Sequence, residues 1–223
     1  MKICVVIPIY NEAEAIGGIV KSVRIKGFDC VVIDDGSDDR GGAIAKEKGA
    51  VVITHDKRSG KGCSLRDGFN YVLAHDYDGV IAMDGDGQHD SADIEGFVKK
   101  AGEDPDSVIT GSRMANPKGM PLVRLIVNRT MSAMISAVCH QRVPDTQCGF
   151  RYIGRRLLKE IKLSCSDFEI ESEVLIEASR KGFKIYSVPI KTIYNNEISK
   201  INPFVDTIRF FVYIIRQAWN IKS

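Results

Sequence analysis

Several features that define large protein classes are missing from this sequence. No run of about 18 uncharged apolar residues occurs, so we expect no transmembrane helix. No charged n-region or cleavage site precedes the first apolar run, so we expect no signal peptide. The net charge of +2 gives no reason to expect nucleic-acid binding. The expected location is the cytoplasm, with any membrane contact peripheral and on the cytoplasmic face.

Cysteine pairs and the common nucleotide-binding signatures are also missing. The six cysteines include no C-x-x-C pair, and Cys4 and Cys30 lie within apolar runs. We therefore expect buried free thiols in a reducing compartment rather than a disulfide framework. Neither G-x-x-x-x-G-K-S/T nor G-x-G-x-x-G occurs, which argues against P-loop and dinucleotide chemistry. The glycine-rich N-terminal loop expected for nucleotidyl transfer is absent as well.

The sequence does contain a regular alternation of apolar runs and amphipathic stretches. Five runs rich in β-branched residues predict strands that are covered on both faces. These runs are 3–9, 30–33, 50–54, 79–83 and 107–110. Helical patterns separate them. This order predicts an α/β fold with a Rossmann-like, mostly parallel sheet and helices on both faces.

The pattern changes after residue 113. A long helix is predicted at 122–140, and polar residues at a spacing of four form one stripe along it. These residues are Arg124, Asn128, Ser132 and Ser136. Shorter helices and a strand at 184–190 follow. The stretch 204–220 predicts a strongly amphipathic helix.

The stretch 80–88 carries the clearest chemical signal. An apolar run ends abruptly at Asp84, Gly85 and Asp86, and Gln88 follows two positions later. Carboxylates at the exposed end of a buried strand are costly unless they hold something, usually a cation. Ligands of open α/β sheets bind at the carboxyl ends of the strands. The position therefore favours a Mg²⁺ or Mn²⁺ site shared with a diphosphate.

A calcium loop and a plain acidic turn are competing interpretations of this stretch. In a calcium EF-hand loop, Asp84, Asp86 and Gln88 would take the first, third and fifth positions. The sixth position should then be glycine, but it is His89, and the preceding segment predicts a strand rather than a helix. A solvated acidic turn is the simpler alternative.

Two weaker motifs lie near the ends of other predicted strands. Asp34 and Asp35 end the second strand, where a carboxylate could accept hydrogen bonds from a base or ribose. Lys61 lies in the glycine-rich basic loop 58–62 and could meet a phosphate, although solvated lysines are more common. Each motif alone is weak evidence, and their order along the chain is the stronger signal.

Five motifs occur in a characteristic order. They are P-I-Y-N-E (8–12), D-D-G-S (34–37), D-G-D-G-Q-H (84–89), G-S-R (111–113) and D-T-Q-C-G-F-R (145–151). This order resembles the inverting GT-A glycosyltransferases, and most nearly the branch of dolichyl-phosphate mannose synthase and the polyprenyl-phosphate glycosyltransferases. The resemblance extends to S-K (199–200) and D-x-x-R (206–209). The usual D-A-D-L-Q of the family stands here as D-G-D-G-Q, which keeps the side chains that act as ligands.

The resemblance implies metal-dependent sugar transfer from a GDP- or UDP-sugar, such as GDP-mannose, to a polyprenyl phosphate. The nucleoside would be held by Pro8, Tyr10, Glu12, Asp35 and Asp84. The metal, Mg²⁺ or Mn²⁺, would be bound by Asp86 and Gln88 beside Asp84, with Gly85 allowing close backbone approach. Phosphates of the donor or acceptor would be faced by Arg113, Arg124, Arg151 and Lys200.

The chemical class of the acceptor decides whether the reaction needs a general base. A lipid phosphate is already ionised and needs no strong general base, and arginine forks such as Arg113 and Arg151 suit two neighbouring anions. A hydroxyl acceptor needs a carboxylate base, for which Asp145 is the first candidate and Glu169 or Glu171 the next. Both glutamates also suit a plain role near a helix start.

We expect a GT-A domain over 1–202, with a nucleotide-sugar half at 1–113 and an acceptor half at 114–202. The amphipathic helix 203–223 and the helix 122–140 could lie in a membrane interface. Packing on the sheet, on an integral-membrane partner subunit or on a second copy in a homodimer would use the same faces. Transfer to a soluble or glycan hydroxyl, and a sugar-nucleotide-binding subunit without turnover, stay open as alternative functions.

Overall fold

The computed structural model describes residues 1–191 except 116, 118 and 119. The predicted C-terminal amphipathic helix, Lys200 and the D-x-x-R motif lie outside the described residues.

Seven strands form one sheet in the described part of the chain, in the order β3-β2-β1-β4-β6-β5-β7. They are β1 (Ile3–Ile9), β2 (Asp29–Asp34), β3 (Val51–Thr54), β4 (Gly79–Ala82), β5 (Val108–Ser112), β6 (Arg151–Gly154) and β7 (Ile185–Pro189). All neighbouring strands run parallel except β6, which is antiparallel to both β4 and β5. The predicted mostly parallel α/β sheet is confirmed.

Helices cover both faces of this sheet. They are α1 (Ala13–Ile25), α2 (Gly41–Glu47), α3 (Lys61–Ala74), α4 (Ile94–Glu103), α5 (Leu122–Cys139), α6 (Arg155–Glu160) and α7 (Ile170–Arg180). Alternate residues of β1 belong to separate cores, with Cys4 and Val6 on one face and Val5 and Ile7 on the other. This two-sided burial accounts for the continuous apolar runs of the strands.

The internal strand β6 was not predicted from the sequence. It is only four residues long and begins at Arg151, the last residue of the D-T-Q-C-G-F-R motif, so no apolar run indicates it. Its register pairs Ala82 of β4 with Arg151. Because β6 runs antiparallel to β4, the residues just before it lie beside the carboxyl end of β4, where the D-G-D-G-Q motif begins.

A capped turn precedes α4. The side chain of Asp90 accepts a hydrogen bond from Ala92 N at 2.8 Å. A short 3₁₀ turn, Ser91–Asp93, then leads into α4. The predicted free thiols are confirmed, since all six cysteines are unpaired and Cys4 and Cys30 are buried.

The helix α5 confirms the predicted long helix and corrects one expectation. By length and composition alone it could cross a membrane, contrary to the expectation that no such helix exists. Core helices of soluble proteins meet the same criteria. One face of its C-terminal half, including Met131 and Ile135, packs in the core with α7. Its N-terminal half instead exposes apolar side chains, with Leu122 at 70% and Val123 at 72% exposure.

Candidate active site

The polar motifs meet at one edge of the sheet. β1, β2, β4 and β5 run parallel to one another, so their carboxyl ends share this edge. Each of these strands is followed within one or two residues by a predicted site residue. These are Tyr10, Asp35, Asp84 and Arg113. The fold thus assembles a site from motifs that are widely separated in sequence.

A buried ammonium group lies within this site. Lys61 is the first residue of α3, and its side chain is 16% exposed. Its Nζ atom lies 2.5 Å from Asp84 Oδ1 and 2.6 Å from Glu171 Oε1. Contact between Lys61 and a phosphate stays a prediction, while its partners in the protein are two carboxylates. Lys61 thereby joins the D-G-D-G-Q motif to α7.

These contacts set the ionisation of the acidic motif. Burial alone would raise the pKa of Asp84, but the Lys61 ammonium and the hydrogen bond to His89 together outweigh burial and hold that pKa well below its usual range. Burial would lower the pKa of Lys61, yet the two neighbouring carboxylates raise it overall. The pKa of Asp86 is raised, first by burial and then by the charge on Asp84. A cation bound beside Asp86 would favour its ionised form and so offset the rise in pKa caused by burial and by Asp84.

Asp86 and Gln88 fit a divalent cation that is shared with a diphosphate. Among the described residues, Asp86 accepts one hydrogen bond, from Gln88 N to Oδ1 at 3.0 Å, and Oδ2 is left for a ligand. The described residues contain no group of three or more His, Cys, Asp or Glu side chains that could hold a metal. Mg²⁺ and Mn²⁺ need only one or two carboxylates when phosphates supply the remaining oxygens.

The EF-hand interpretation of this motif is wrong. A strand, β4, precedes Asp84, whereas an EF-hand loop follows a helix. His89 stands where the loop requires glycine, and it is buried. Its Nε2 atom lies 3.3 Å from Asp84 Oδ2, so it packs against the motif from within the protein.

Two glycines allow the motifs to approach each other. A Cβ atom on Gly149 would overlap the Asp84 carboxylate, and a Cβ atom on Gly85 would lie 2.6 Å from Ile9 Cγ2. The D-T-Q-C-G-F-R motif therefore packs directly on the D-G-D-G-Q motif. Sequence reasoning missed Gly149, although its place inside a motif was a usable signal.

Asp35, the predicted nucleoside contact, is already bound within the protein. Its carboxylate accepts hydrogen bonds from Ser59 N at 2.8 Å and from Gly60 N at 2.9 Å. His55 Nδ1 lies 2.7 Å from Asp35 Oδ1, and His55 Nε2 lies 2.9 Å from Asp67 Oδ2. In the structure, Asp35 fixes the glycine-rich loop that leads into α3. Its contact with a nucleoside stays a prediction.

His55 is a member of this network that sequence reasoning missed. Burial lowers its pKa, but hydrogen bonds to Asp35 and Asp67 outweigh burial, so the pKa is raised above its ordinary value. A single histidine after a short strand carries no motif that could have revealed this.

The last residues of β1 and those just after it lie at the part of the sheet edge that is predicted to bind the nucleoside. Arg58 Cζ lies 4.4 Å from the centre of the Tyr10 ring, a cation–π distance. Pro8 pairs with Ile33 of β2 and lies beyond Val6, the last residue of β1 that pairs with β4. Glu12 immediately precedes α1. Binding of a nucleoside by Pro8, Tyr10 and Glu12 stays a prediction.

Arg113 and Asp145 form a buried ion pair. Asp145 is 0% exposed and accepts hydrogen bonds from Arg113 Nε and Nη2, each at 2.8 Å, and from Asn128 Nδ2 at 2.8 Å. Burial would raise the pKa of Asp145, but Arg113 lowers it overall. A general base needs access to the proton and a pKa near the working pH. In the structure Asp145 orients Arg113. A role of Asp145 as a base stays a prediction.

Arg151, which was predicted to face a phosphate, is enclosed by the protein. Its guanidinium donates to Cys148 O and Thr146 O, each at 2.7 Å, and to Glu171 O. It also lies 3.7 Å from the Glu171 carboxylate. The structure therefore gives Arg151 a structural role, in which it holds the loop before β6 to α7.

The two remaining candidate bases differ in their surroundings. Glu171 is buried, and a cation lies near each of its carboxylate oxygens. Lys61 pairs with Oε1, and Arg151 lies near Oε2. Glu169 is half-buried, and within the described ranges no hydrogen bond or ion pair holds its side chain. Arg124 is exposed on α5, away from any ion pair among the described residues.

Comparison with known proteins identifies the family of this chain. Residues 4–162 match glycosyl transferase family 2. The chain belongs to this family. Membership makes it a glycosyltransferase with the GT-A fold, which confirms the resemblance seen in the motifs.

Relatives of this family 2 chain include named polyprenyl-phosphate enzymes. A UDP-N-acetylglucosamine–dolichyl-phosphate N-acetylglucosaminyltransferase from Methanococcus voltae is 30% identical over 215 residues, which cover 86% of each chain. A polyprenol monophosphomannose synthase from Mycolicibacterium smegmatis is 27% identical, over 98% of this chain and 87% of the relative.

Among solved structures, the family 2 fold recurs in glucosyl-3-phosphoglycerate synthase from Mycobacterium tuberculosis, crystallised with Mn²⁺, UDP and phosphoglyceric acid. The TM-score is 0.73 at 19% identity, over 98% of this chain and 78% of that chain. At this identity the likeness shows the fold.

Proposed function

We propose that this glycosyltransferase moves a sugar, with inversion, from a nucleoside-diphosphate sugar to a polyprenyl phosphate. The observation that carries the proposal is that two candidate base carboxylates are held in ion pairs. Asp145 is bound to Arg113, and Glu171 is bound to Lys61, so neither is available as a strong base. An ionised acceptor phosphate needs no such base. The names of the two relatives support the same acceptor class.

Asp86 and Gln88 would hold Mg²⁺ or Mn²⁺ together with the donor diphosphate. Bound there, the metal supplies Lewis-acid neutralisation of the charge on the departing nucleoside diphosphate. Lys61 keeps Asp84 ionised and fixed in place. Arg113, held rigidly by Asp145, presents a guanidinium to a phosphate at the same edge of the sheet. The motif resemblance implies a GDP- or UDP-sugar as donor, and the name of the relative from Methanococcus voltae contains a UDP-sugar.

The experiment is a transfer assay with labelled GDP- and UDP-sugars, polyprenyl phosphate, and Mg²⁺ or Mn²⁺. We expect label in the lipid fraction with one donor class, abolished by EDTA and reduced at least about 100-fold by Asp86→Ala, since charge stabilisation of this kind is a large term. Absence of transfer from every donor would refute the acceptor. Full activity of Asp86→Ala would refute the metal site.

We also propose that α5 brings the site to the cytoplasmic face of a membrane. Its N-terminal half exposes Leu122, Val123 and Ile126 beside Arg124 and Arg129. Apolar side chains flanked by arginines suit the interface of an anionic bilayer. A polyprenyl phosphate resides in such a bilayer, so this surface would place the acceptor next to the site.

Flotation with anionic vesicles tests this contact. Ile126→Asp should reduce the floated fraction, whereas Ile25→Asp, at an exposed apolar position on α1 (75% exposed), should not. If the native chain stays in solution, or both variants float equally, the α5 contact is wrong. A rise in oligomer size without flotation would assign the same face to a second copy of the chain.

One observation favours a second candidate, transfer to a hydroxyl. Glu169 is the candidate carboxylate that no cation holds among the described residues. If it serves as a base, Glu169→Gln should lower the rate by about 100-fold or more. The phosphate acceptor predicts less than about a threefold change, so this single variant separates the two functions.

A further inference from the structure

A polar connection runs from α5 into the active site. Asp145 holds the guanidinium of Arg113 by two parallel hydrogen bonds, to Nε and Nη2, and accepts a third from Arg113 N at 3.1 Å. Two parallel bonds fix both the position and the plane of a guanidinium. The orientation of Arg113 therefore follows that of the Asp145 carboxylate.

The carboxylate itself is fixed from α5. Asn128 Nδ2 donates to Asp145 Oδ1 at 2.8 Å, and both side chains are buried. Ser132 Oγ donates to Asn128 Oδ1 at 3.0 Å, which fixes which end of the amide faces Asp145. Ser132 Oγ in turn accepts from Thr146 N at 3.0 Å, so α5 is joined to the loop that carries Asp145.

We infer that Asn128 is a positioning residue for sugar transfer, acting on Arg113 through the carboxylate of Asp145. The inference rests on the proposed function, in which Arg113 meets a phosphate at the reacting centre. Asn128 reaches no substrate itself, because it is buried on the inner face of α5. A misaligned guanidinium would still bind a phosphate anion, but it would stabilise the transition state less well.

The matched control lies two turns further along the same stripe. Ser136 Oγ accepts from Val143 N at 2.9 Å and so also ties α5 to the following segment, but its hydrogen bonds go to Ser132 O and Val143 rather than to Asn128, Asp145 or Arg113. Asn128→Ala and Ser136→Ala thus each remove a hydrogen-bonding side chain from α5. Only the first breaks the connection to Arg113.

Steady-state kinetics give the first readout. Asn128→Ala should lower kcat by about tenfold or more, the usual size of effect for a residue that orients an active-site group, with the donor KM changed less than about threefold. Ser136→Ala should keep kcat within about threefold at a comparable melting temperature. Equal losses in both variants would overturn the inference, as would a change confined to KM.

A double-mutant cycle then tests whether Asn128 acts through Arg113. If it does, Asn128→Ala adds no further loss of kcat in the Arg113→Ala background. Losses that multiply would overturn the inference, and so would an Arg113→Ala variant with unchanged kcat.

A spectroscopic readout separates failure of this inference from failure of the proposed function. The ¹⁵N–¹H resonance of Arg113 Nε, assigned by its disappearance in Arg113→Lys, should be protected from solvent exchange in the native chain. It should lose this protection in Asn128→Ala and keep it in Ser136→Ala. Unchanged protection in Asn128→Ala would overturn the inference, whereas absence of transfer by the native chain would overturn only the proposed function.

Discussion

At the residue scale, Lys61 holds together two acidic side chains from distant parts of the chain. Replacing it by methionine, Lys61→Met, leaves the buried Glu171 and the half-buried Asp84 without their shared cation. Removing one member of a buried ion pair typically costs about 3–5 kcal/mol. We therefore expect the free energy of unfolding, measured by urea denaturation, to fall by about 3 kcal/mol or more.

A lysine from an ion pair on the protein surface provides the control for this variant. Lys100 pairs with Glu103 at 2.6 Å on the surface of α4, where water screens the two charges and the pair contributes little to stability. Lys100→Met should therefore leave the free energy of unfolding close to that of the native chain. Similar losses in the two variants would show that the pairs with Asp84 and Glu171 do not stabilise the fold more than a surface ion pair does.

His55 gives the site a residue-scale pH dependence of stability. Its pKa is raised above the ordinary 6.5 by Asp35 and Asp67. A raised folded-state pKa means that protonation favours the folded protein, so this stabilisation is complete below pH 6.5 and is lost as the pH rises through the folded pKa. The native chain should lose stability relative to His55→Gln between pH 6.5 and the folded-state pKa.

Urea unfolding at a series of pH values checks this dependence. His140→Asn serves as the control, because His140 is exposed and has a positive φ of 49°, which asparagine tolerates. This control should keep the pH profile of the native chain. A difference between the native chain and His55→Gln that grows toward low pH in favour of the variant would contradict the assigned network.

At the scale of elements, the contact of the loop before β6 with the end of β4 depends on Gly149. In Gly149→Ala the added Cβ would overlap Asp84, so either the loop or the carboxylate must move. We expect the transfer rate to fall at least about tenfold, since a small misplacement at a reacting centre is costly. The melting temperature should fall as well.

Gly96 on α4 is the matched glycine. A Cβ there meets nothing within 4 Å, so Gly96→Ala should keep the rate and slightly raise the melting temperature, as alanine favours helix. A Gly149→Ala variant with native rate would show that this contact does not position Asp84.

The elements also show where sequence reasoning was sufficient. The long apolar runs of β1, β2 and β4 are buried on both faces, so their composition alone predicted buried strands. β6 escaped prediction because its pairing partners, β4 and β5, are distant in sequence and its four residues have little pattern.

At the scale of the whole molecule, strand order accounts for the convergence of the motifs. Parallel strands bring their carboxyl ends to one edge, so the sequence predicted which side chains converge, including Asp35, Asp84 and Arg113. It did not predict which of them bind one another. Two of these pairs, Lys61–Glu171 and Arg113–Asp145, form only because α7 and the loop before β6 pack against the site. Local sequence patterns do not predict that packing.

These internal pairs change what the acidic residues can do. With Asp145 and Glu171 held by cations, the site suits an acceptor that arrives already ionised. The acceptor phosphate, rather than a protein base, is therefore the central element of the proposed reaction.

The most direct test compares polyprenyl phosphate with the polyprenol of equal chain length as acceptors, using one labelled donor and one divalent metal. In the proposed reaction no protein base activates the alcohol, so its initial rate should be lower by at least about 100-fold, the usual contribution of such a base. Comparable rates with the two acceptors, or faster transfer to the alcohol, would contradict the proposed reaction.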